Sequence, residues 1–160
     1  MLGQYKNEEV SITVTGHSLG LALATLCAID IVDNQVNKEF PLTAFVFGCP
    51  RVGEENFKKA YEKLKNLQIL RICNAPDHIL EMPDRGLVNG SANDWRVYEQ
   101  VGSELSIDTT KSKYFKKDVN GHILEVYLHG IAGTQGPKGE FNFGDKSGRT
   151  IVTFGSQRRT

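Results

Sequence analysis

Apolar residues gather in three short runs along the chain, Val10–Thr15, Leu42–Phe47 and Gln68–Cys73, each containing β-branched or aromatic side chains and each followed by turn residues. Runs this short that are apolar at nearly every position suit strands covered on both faces, as in a parallel sheet. Between the first two runs, Leu23, Leu26, Ile29 and Ile31 recur among alanines across Leu21–Val32. Between the second and third, Phe57, Ala60, Tyr61 and Leu64 recur across Gly53–Leu67. Both patterns are helical. The alternation strand, helix, strand, helix, strand predicts right-handed crossovers and an α/β fold, a mostly parallel sheet with flanking helices.

Past Pro83 the pattern changes. A loop rich in Gly, Asn and Asp over Asp84–Asp94 leads to an extended segment, Trp95–Ile107, broken at Gly102. Helical spacing returns over His122–Ile131 and closes at Gly133, after which the chain is rich in Gly, Lys and Arg with one short strand-like run at Thr150–Phe154. There is no internal repeat and no low-complexity tract. The expected organisation is one catalytic domain over residues 1–143 and a divergent or disordered tail over 144–160. A chain of 160 residues suffices for one core that buries roughly two thirds of the unfolded surface.

Composition narrows the classes of partner. Nineteen Lys and Arg balance nineteen Asp and Glu, so no whole-protein field favours nucleic acid or acidic membranes. The basic groups Lys111, Lys113, Lys116 and Lys117, and the pair Arg158–Arg159, read as a solvated face and a chain end. Three cysteines, Cys27, Cys49 and Cys73, lie in or beside apolar segments without metal-ligand spacing. They behave as small hydrophobes and suit a reducing compartment. The polar start MLGQYKNEEV lacks a secretory apolar stretch, so a cytoplasmic location is expected, with Asn89-Gly90-Ser91 left as an unmodified loop. No metal or cofactor is implied.

The chemistry centres on Gly16-His17-Ser18-Leu19-Gly20, a G-x-S-x-G pentapeptide between a strand and a helix. In a nucleophile elbow the tight turn holds serine in a strained backbone conformation. Gly16 and Gly20 are expected there because a β-carbon would collide with the neighbouring strand or helix. The helix that follows aims its free N–H groups at the reacting centre, making the N–H of Leu19 a natural oxyanion donor. Serine needs a base, and the base needs an orienting carboxylate. In the chain order Ser, acid, His, Asp77 just past the third strand is the candidate acid at the carboxyl edge of the sheet, with Asp84 as competitor. A plain turn or helix-capping role for Asp77 stays open. Of four histidines, His17 adjoins the nucleophile and His78 adjoins the acid, which disfavours both. His122, at the mouth of the last helix, is preferred as base to His129, which reads as a packing residue within it.

Five blocks, ITVTGHSLG, FVFGCPRVG, NAPDHILEMP, VGSELSIDTTKSKY and HILEVYLHGIAGTQG, occur in this order between about Tyr5 and Phe143. Together they resemble the lipase class 3 family, and most closely its plant phospholipase A1 subgroup of the cytosolic class II type, carboxy-terminal part. The resemblance implies a partial α/β-hydrolase fold and metal-free hydrolysis of phospholipid acyl esters at the sn-1 position. It places the nucleophile on Ser18, the acid on Asp77 and the base on His122. Family members carry strands before the elbow, so amino-terminal strands are expected to be missing here. The elbow strand then becomes an unpaired apolar edge that invites self-association. Leu21 stands where the family has a small residue, so tight helix-to-sheet packing is expected. Transient contact with a lipid surface goes with such a substrate. The rival expectation is a truncated, non-catalytic lipase-like fragment that binds lipid or a partner.

Overall fold

The computed structural model describes residues 11–34, 40–83, 86–87, 95–112, 115–116 and 118–133. The tail over 144–160, Asp84, the sequon at 89–91, and Lys113 and Lys117 lie outside them. The elements in chain order are β1 (Ile12–His17), α1 (Leu19–Asp33), β2 (Leu42–Phe47), β3 (Gly53–Glu54), α2 (Glu55–Tyr61), β4 (Leu67–Asn74), β5 (Gly86–Leu87), β6 (Trp95–Arg96), β7 (Tyr98–Glu99), β8 (Ser103–Ile107) and α3 (Leu124–Gly133). Four strands form one sheet in the order β1-β2-β4-β8, and every neighbouring pair is parallel. The register sets Ile12 beside Leu42 and Leu42 beside Leu67. All four strands therefore point their carboxyl ends at one edge. The two short pairs, β3 with β7 and β5 with β6, are antiparallel. This is the α/β arrangement expected from the alternation of patterns.

α1 and α2 cover one face of the sheet. Leu42, Ala44 and Val46 of β2 and Leu67 and Ile69 of β4 meet Leu21, Ala24 and Ala28 of α1, with Phe57, Tyr61 and Leu64 packed at the margin. Burying a leucine or isoleucine contributes about 1.5–3 kcal/mol, against the few tenths that a β-branched residue costs a helix. Ile29, Ile31 and Val32 accordingly sit within α1 and pack on this core. The buried side of α1 differs from its larger side chains. Leu21, Ala24, Thr25 and Ala28 are buried, whereas Leu23 and Leu26 are exposed. Small residues let the helix approach the strands closely, and Leu21 is fully enclosed, as tight packing requires.

The other face is covered at its carboxyl half by α3, whose Tyr127 packs with Ile72, Ile107, Phe47, Leu70, Leu105 and Ile131. Two expectations need correction. Helical spacing ran over Gly53–Leu67, but α2 covers only Glu55–Tyr61, because Gly53 and Glu54 pair with β7. Residues 95–107 hold three short strands rather than one extended segment. Gly102 marks the break before β8 with φ +87°, and a β-carbon there would lie 2.5 Å from the Ile69 carbonyl. Among the described residues no helix is long and apolar enough to cross a membrane.

Candidate active site

The carboxyl ends of β1, β2 and β4 lead into Ser18, Gly48 and Asp77, and His122 lies on the segment just before α3. β1 runs into Ser18, whose backbone adopts φ 57° and ψ −129°, a left-handed conformation that costs a non-glycine residue about 1–3 kcal/mol. Two bonds hold the turn: the Ser18 N–H donates to the Phe47 carbonyl (3.1 Å) and the Leu21 N–H to the Ser18 carbonyl (3.1 Å). Serine at a helix start ordinarily caps it with its hydroxyl, but here the side chain makes no cap bond. The hydroxyl instead lies 2.8 Å from His122 Nε2. A β-carbon on Gly16 would lie 2.4 Å from the Gly20 carbonyl oxygen, so the elbow closes only on glycine at 16. The same expectation for Gly20 is corrected: a β-carbon there has nothing within 4 Å. Gly20 lies exposed in the first turn of α1, on a side where no described element packs. The N–H of Leu19 is among the first of that helix, which have no acceptor inside it.

Asp77 follows β4. Its backbone N–H donates to the Asn74 carbonyl (2.9 Å), and its Oδ1 accepts the Ile79 N–H (2.9 Å) at the head of the 3-10 turn His78–Glu81. The capping role left open for Asp77 is thus real, and it uses only one oxygen. Oδ2 faces His122 Nδ1 at 2.8 Å and also accepts from the Tyr127 hydroxyl. Burial raises the Asp77 carboxyl, but hydrogen bonds from Tyr127, His122 and Ile79 outweigh it and hold the pKa below the usual value. The carboxylate therefore stays ionised. With Nδ1 facing a carboxylate, a neutral His122 carries its proton there and turns Nε2 to the serine as acceptor.

The segment bearing His122 has no regular structure before α3, and three bonds fix it. Asn120 Oδ1 accepts the His122 N–H (2.9 Å), Asn74 Nδ2 donates to the Gly121 carbonyl (3.0 Å), and His17 Nε2 donates to the His122 carbonyl (2.7 Å). Asn74 is fully buried, and its Oδ1 accepts from both the N–H and the hydroxyl of Thr109 at 3.1 Å. Gly48, just past β2, has φ +66°, and a β-carbon on it would lie 3.1 Å from both Asp77 Oδ2 and His122 Cε1.

Ser18, His122 and Asp77 are thus brought into one hydrogen-bonded chain. His129 is not: its Nε2 lies 3.0 Å from Ser112 Oγ. His78 is exposed. The buried thiols of Cys49 and Cys73 are pushed up to about 12 by burial, which keeps them protonated and poor nucleophiles. Among the described residues no cluster of His, Cys, Asp or Glu could hold a metal ion. Sequence reasoning missed His17, Gly48, Asn74 and Tyr127. Asn74 and Tyr127 lie close in sequence to Asp77 and His122, but only the folded structure shows their contacts.

A model of the class 3 lipase family matches residues 1–86. The chain is 49% identical over 140 residues to Phospholipase A1-II 1 of Oryza sativa subsp. indica, covering 86% of this chain and 33% of that protein. Phospholipase A1-II 4 of Oryza sativa subsp. japonica is 46% identical over 146 residues, with 88% and 34% covered. Phospholipase A1-IIgamma of Arabidopsis thaliana is 49% identical over 146 residues, with 85% and 32% covered. The chain spans about a third of the length of these relatives.

Proposed function

The chain belongs to the lipase class 3 family, and from that premise we propose that it carries the catalytic residues of a serine acyl hydrolase that cleaves phospholipid esters at the sn-1 position. The observation that carries this reading is the pair of 2.8 Å contacts linking Ser18 Oγ to His122 Nε2 and His122 Nδ1 to Asp77 Oδ2. Ser18 Oγ attacks the ester carbonyl while His122 Nε2 takes its proton. The Leu19 N–H faces the developing oxyanion, and Asp77 supports the imidazolium. The proton then passes to the leaving alcohol oxygen as the ester C–O bond breaks, leaving Ser18 acylated. Water attacks that acyl group, its proton going to His122 and on to Ser18 Oγ as the carboxylic acid leaves. No step requires a metal or cofactor.

Phospholipid as substrate is supported by the names of the relatives, all phospholipases A1. It is also supported by exposed apolar side chains that lie near the site residues in the chain. Leu19, Ile123 and Met82 are 72, 42 and 51% exposed; they follow Ser18, His122 and the 3-10 turn after Asp77. Exposed apolar side chains of this kind suit acyl chains and transient contact with a lipid surface. A cytoplasmic location is proposed with it, on the three unpaired cysteines. The test is turnover of a short-chain chromogenic ester and then a phospholipid by the chain and by Ser18→Ala. The variant is expected to lose activity by at least on the order of ten-thousandfold; equal rates would remove the proposal. One observation favours a second reading, a non-catalytic lipid- or partner-binding fragment: β1 is the edge strand of the described sheet. Labelling of Ser18 by a fluorophosphonate, dependent on His122, supports the first reading. A folded sample that stays unlabelled supports the second.

A further inference from the structure

We propose that Tyr127 is a positioning residue that sets the strength of the Asp77–His122 pair by sharing one carboxylate oxygen with the imidazole. The kinetic part of this inference rests on the hydrolase reading above; the structural part does not. Tyr127 is fully buried, with its ring edge-on to Phe47 and set among Ile72 and Ile107. Its hydroxyl accepts the Asn74 N–H (3.3 Å) and donates to Asp77 Oδ2. The accepting side is taken by a backbone N–H, so the phenolic proton is committed to Asp77. Burial and the neighbouring carboxylate raise the phenol well above its ordinary value, so it remains a donor at every working pH.

Two consequences follow. With Ile79 N–H on Oδ1 and Tyr127 on Oδ2, the carboxylate is held in place by two donors that do not depend on His122. The base can therefore move during proton transfer without the acid losing its orientation. The Tyr127 proton also draws charge from the oxygen that faces His122 Nδ1, weakening that oxygen's hold on the imidazolium. His122 then releases its proton more readily to the leaving group. The titratable groups facing this pair are His17 from β1, whose ring lies 4.8 Å from that of His122, and Cys73 from β4, whose thiol is pushed up to about 12 by burial, with the Asp77 carboxylate adding to the rise, and is therefore neutral. Neither changes in the comparison below.

The experiment compares the chain with Tyr127→Phe, reading the pH profile of ester turnover and the proton resonance of His122 Nδ1–H. Phe keeps the ring and removes the shared proton. The acid limb of kcat/KM is expected to move up by about half a pH unit. Turnover near neutrality is expected to fall about tenfold with KM little changed, and the Nδ1–H resonance to move downfield as Asp77 bonds the imidazole alone. Because Phe also leaves the buried Asn74 N–H without its acceptor, thermal unfolding is followed alongside. Ile131→Ala serves as a second variant that loosens the packing of α3 and leaves the hydroxyl in place; it should lose stability without moving the limb or the resonance. A limb shift of equal size in Ile131→Ala, or an unmoved limb and resonance in folded Tyr127→Phe, would overturn the inference. If the parent chain shows no turnover yet the resonance moves on Tyr127→Phe, the hydrolase reading fails and this one stands.

Discussion

Gly48 has no functional group, yet the site is built around its missing side chain. Its backbone N–H reaches the Ile72 carbonyl at 3.2 Å. The space where a β-carbon would stand is bounded by Asp77 Oδ2 and the His122 ring at 3.1–3.2 Å. Those neighbours are the two groups whose mutual distance matters most. A methyl group at 48 faces both this crowding and φ +66°, a conformation that costs an alanine about 1–2 kcal/mol. Gly48→Ala is therefore expected to lower kcat by roughly a hundredfold while costing only about 1–3 kcal/mol of stability. Paired kinetics and urea unfolding check this; an alanine variant with the parent's kcat would show that the imidazole has room to spare. His17 acts at the same scale by an unexpected route. It adjoins Ser18 in sequence, and it holds the backbone of His122. No pattern of residue types signals that role.

Among the elements, α1 does most to build the site, since its first turn is the elbow. Gly16 and Gly20 look equivalent in the pentapeptide, but their surroundings differ. Gly16 closes against the backbone of Gly20 and Leu21, at 2.4 and 2.7 Å from an added β-carbon, whereas Gly20 faces open space. Backbone atoms cannot move aside as a flexible side chain can. Gly16→Ala should therefore destabilise the fold by roughly 2–4 kcal/mol and abolish turnover. Gly20→Ala should be neutral or add up to about 1 kcal/mol, since alanine is the better helix former. Denaturant midpoints of the two variants decide the matter, and equal losses would mean that an element packs against Gly20. The helix pattern was legible in the sequence, but its orientation was not. Leu23 and Leu26 carry the periodicity and face outward, whereas alanines face the sheet. Close helix–strand packing selects for small volume as much as for hydrophobicity.

At the level of the whole molecule, β1 ends the described sheet on one side, leaving Ile12 and Val14 only partly buried on an edge strand. Such an edge pairs readily with another copy of itself, so the chain is expected to self-associate at micromolar concentration, with Thr13→Lys shifting it toward monomer. Sedimentation velocity reads this directly, and a parent chain that runs as a monomer would count against it. The α/β class, the parallel pairing and the position of the elbow were legible in the sequence, which also put forward Ser18, Asp77 and His122, with Asp84 and His129 as alternatives; the structure joins the first three in one hydrogen-bonded chain. Each legible feature is written locally, as an apolar run, a glycine spacing or a loop position after a strand. Contacts between segments distant in the chain came only with folding. Asn74 joins β4 to the segment that bears His122, His17 ties down His122, Tyr127 and His122 share an oxygen of Asp77, and Gly48 yields the room. No local signal encodes these, because each depends on which strand ends the parallel register sets side by side.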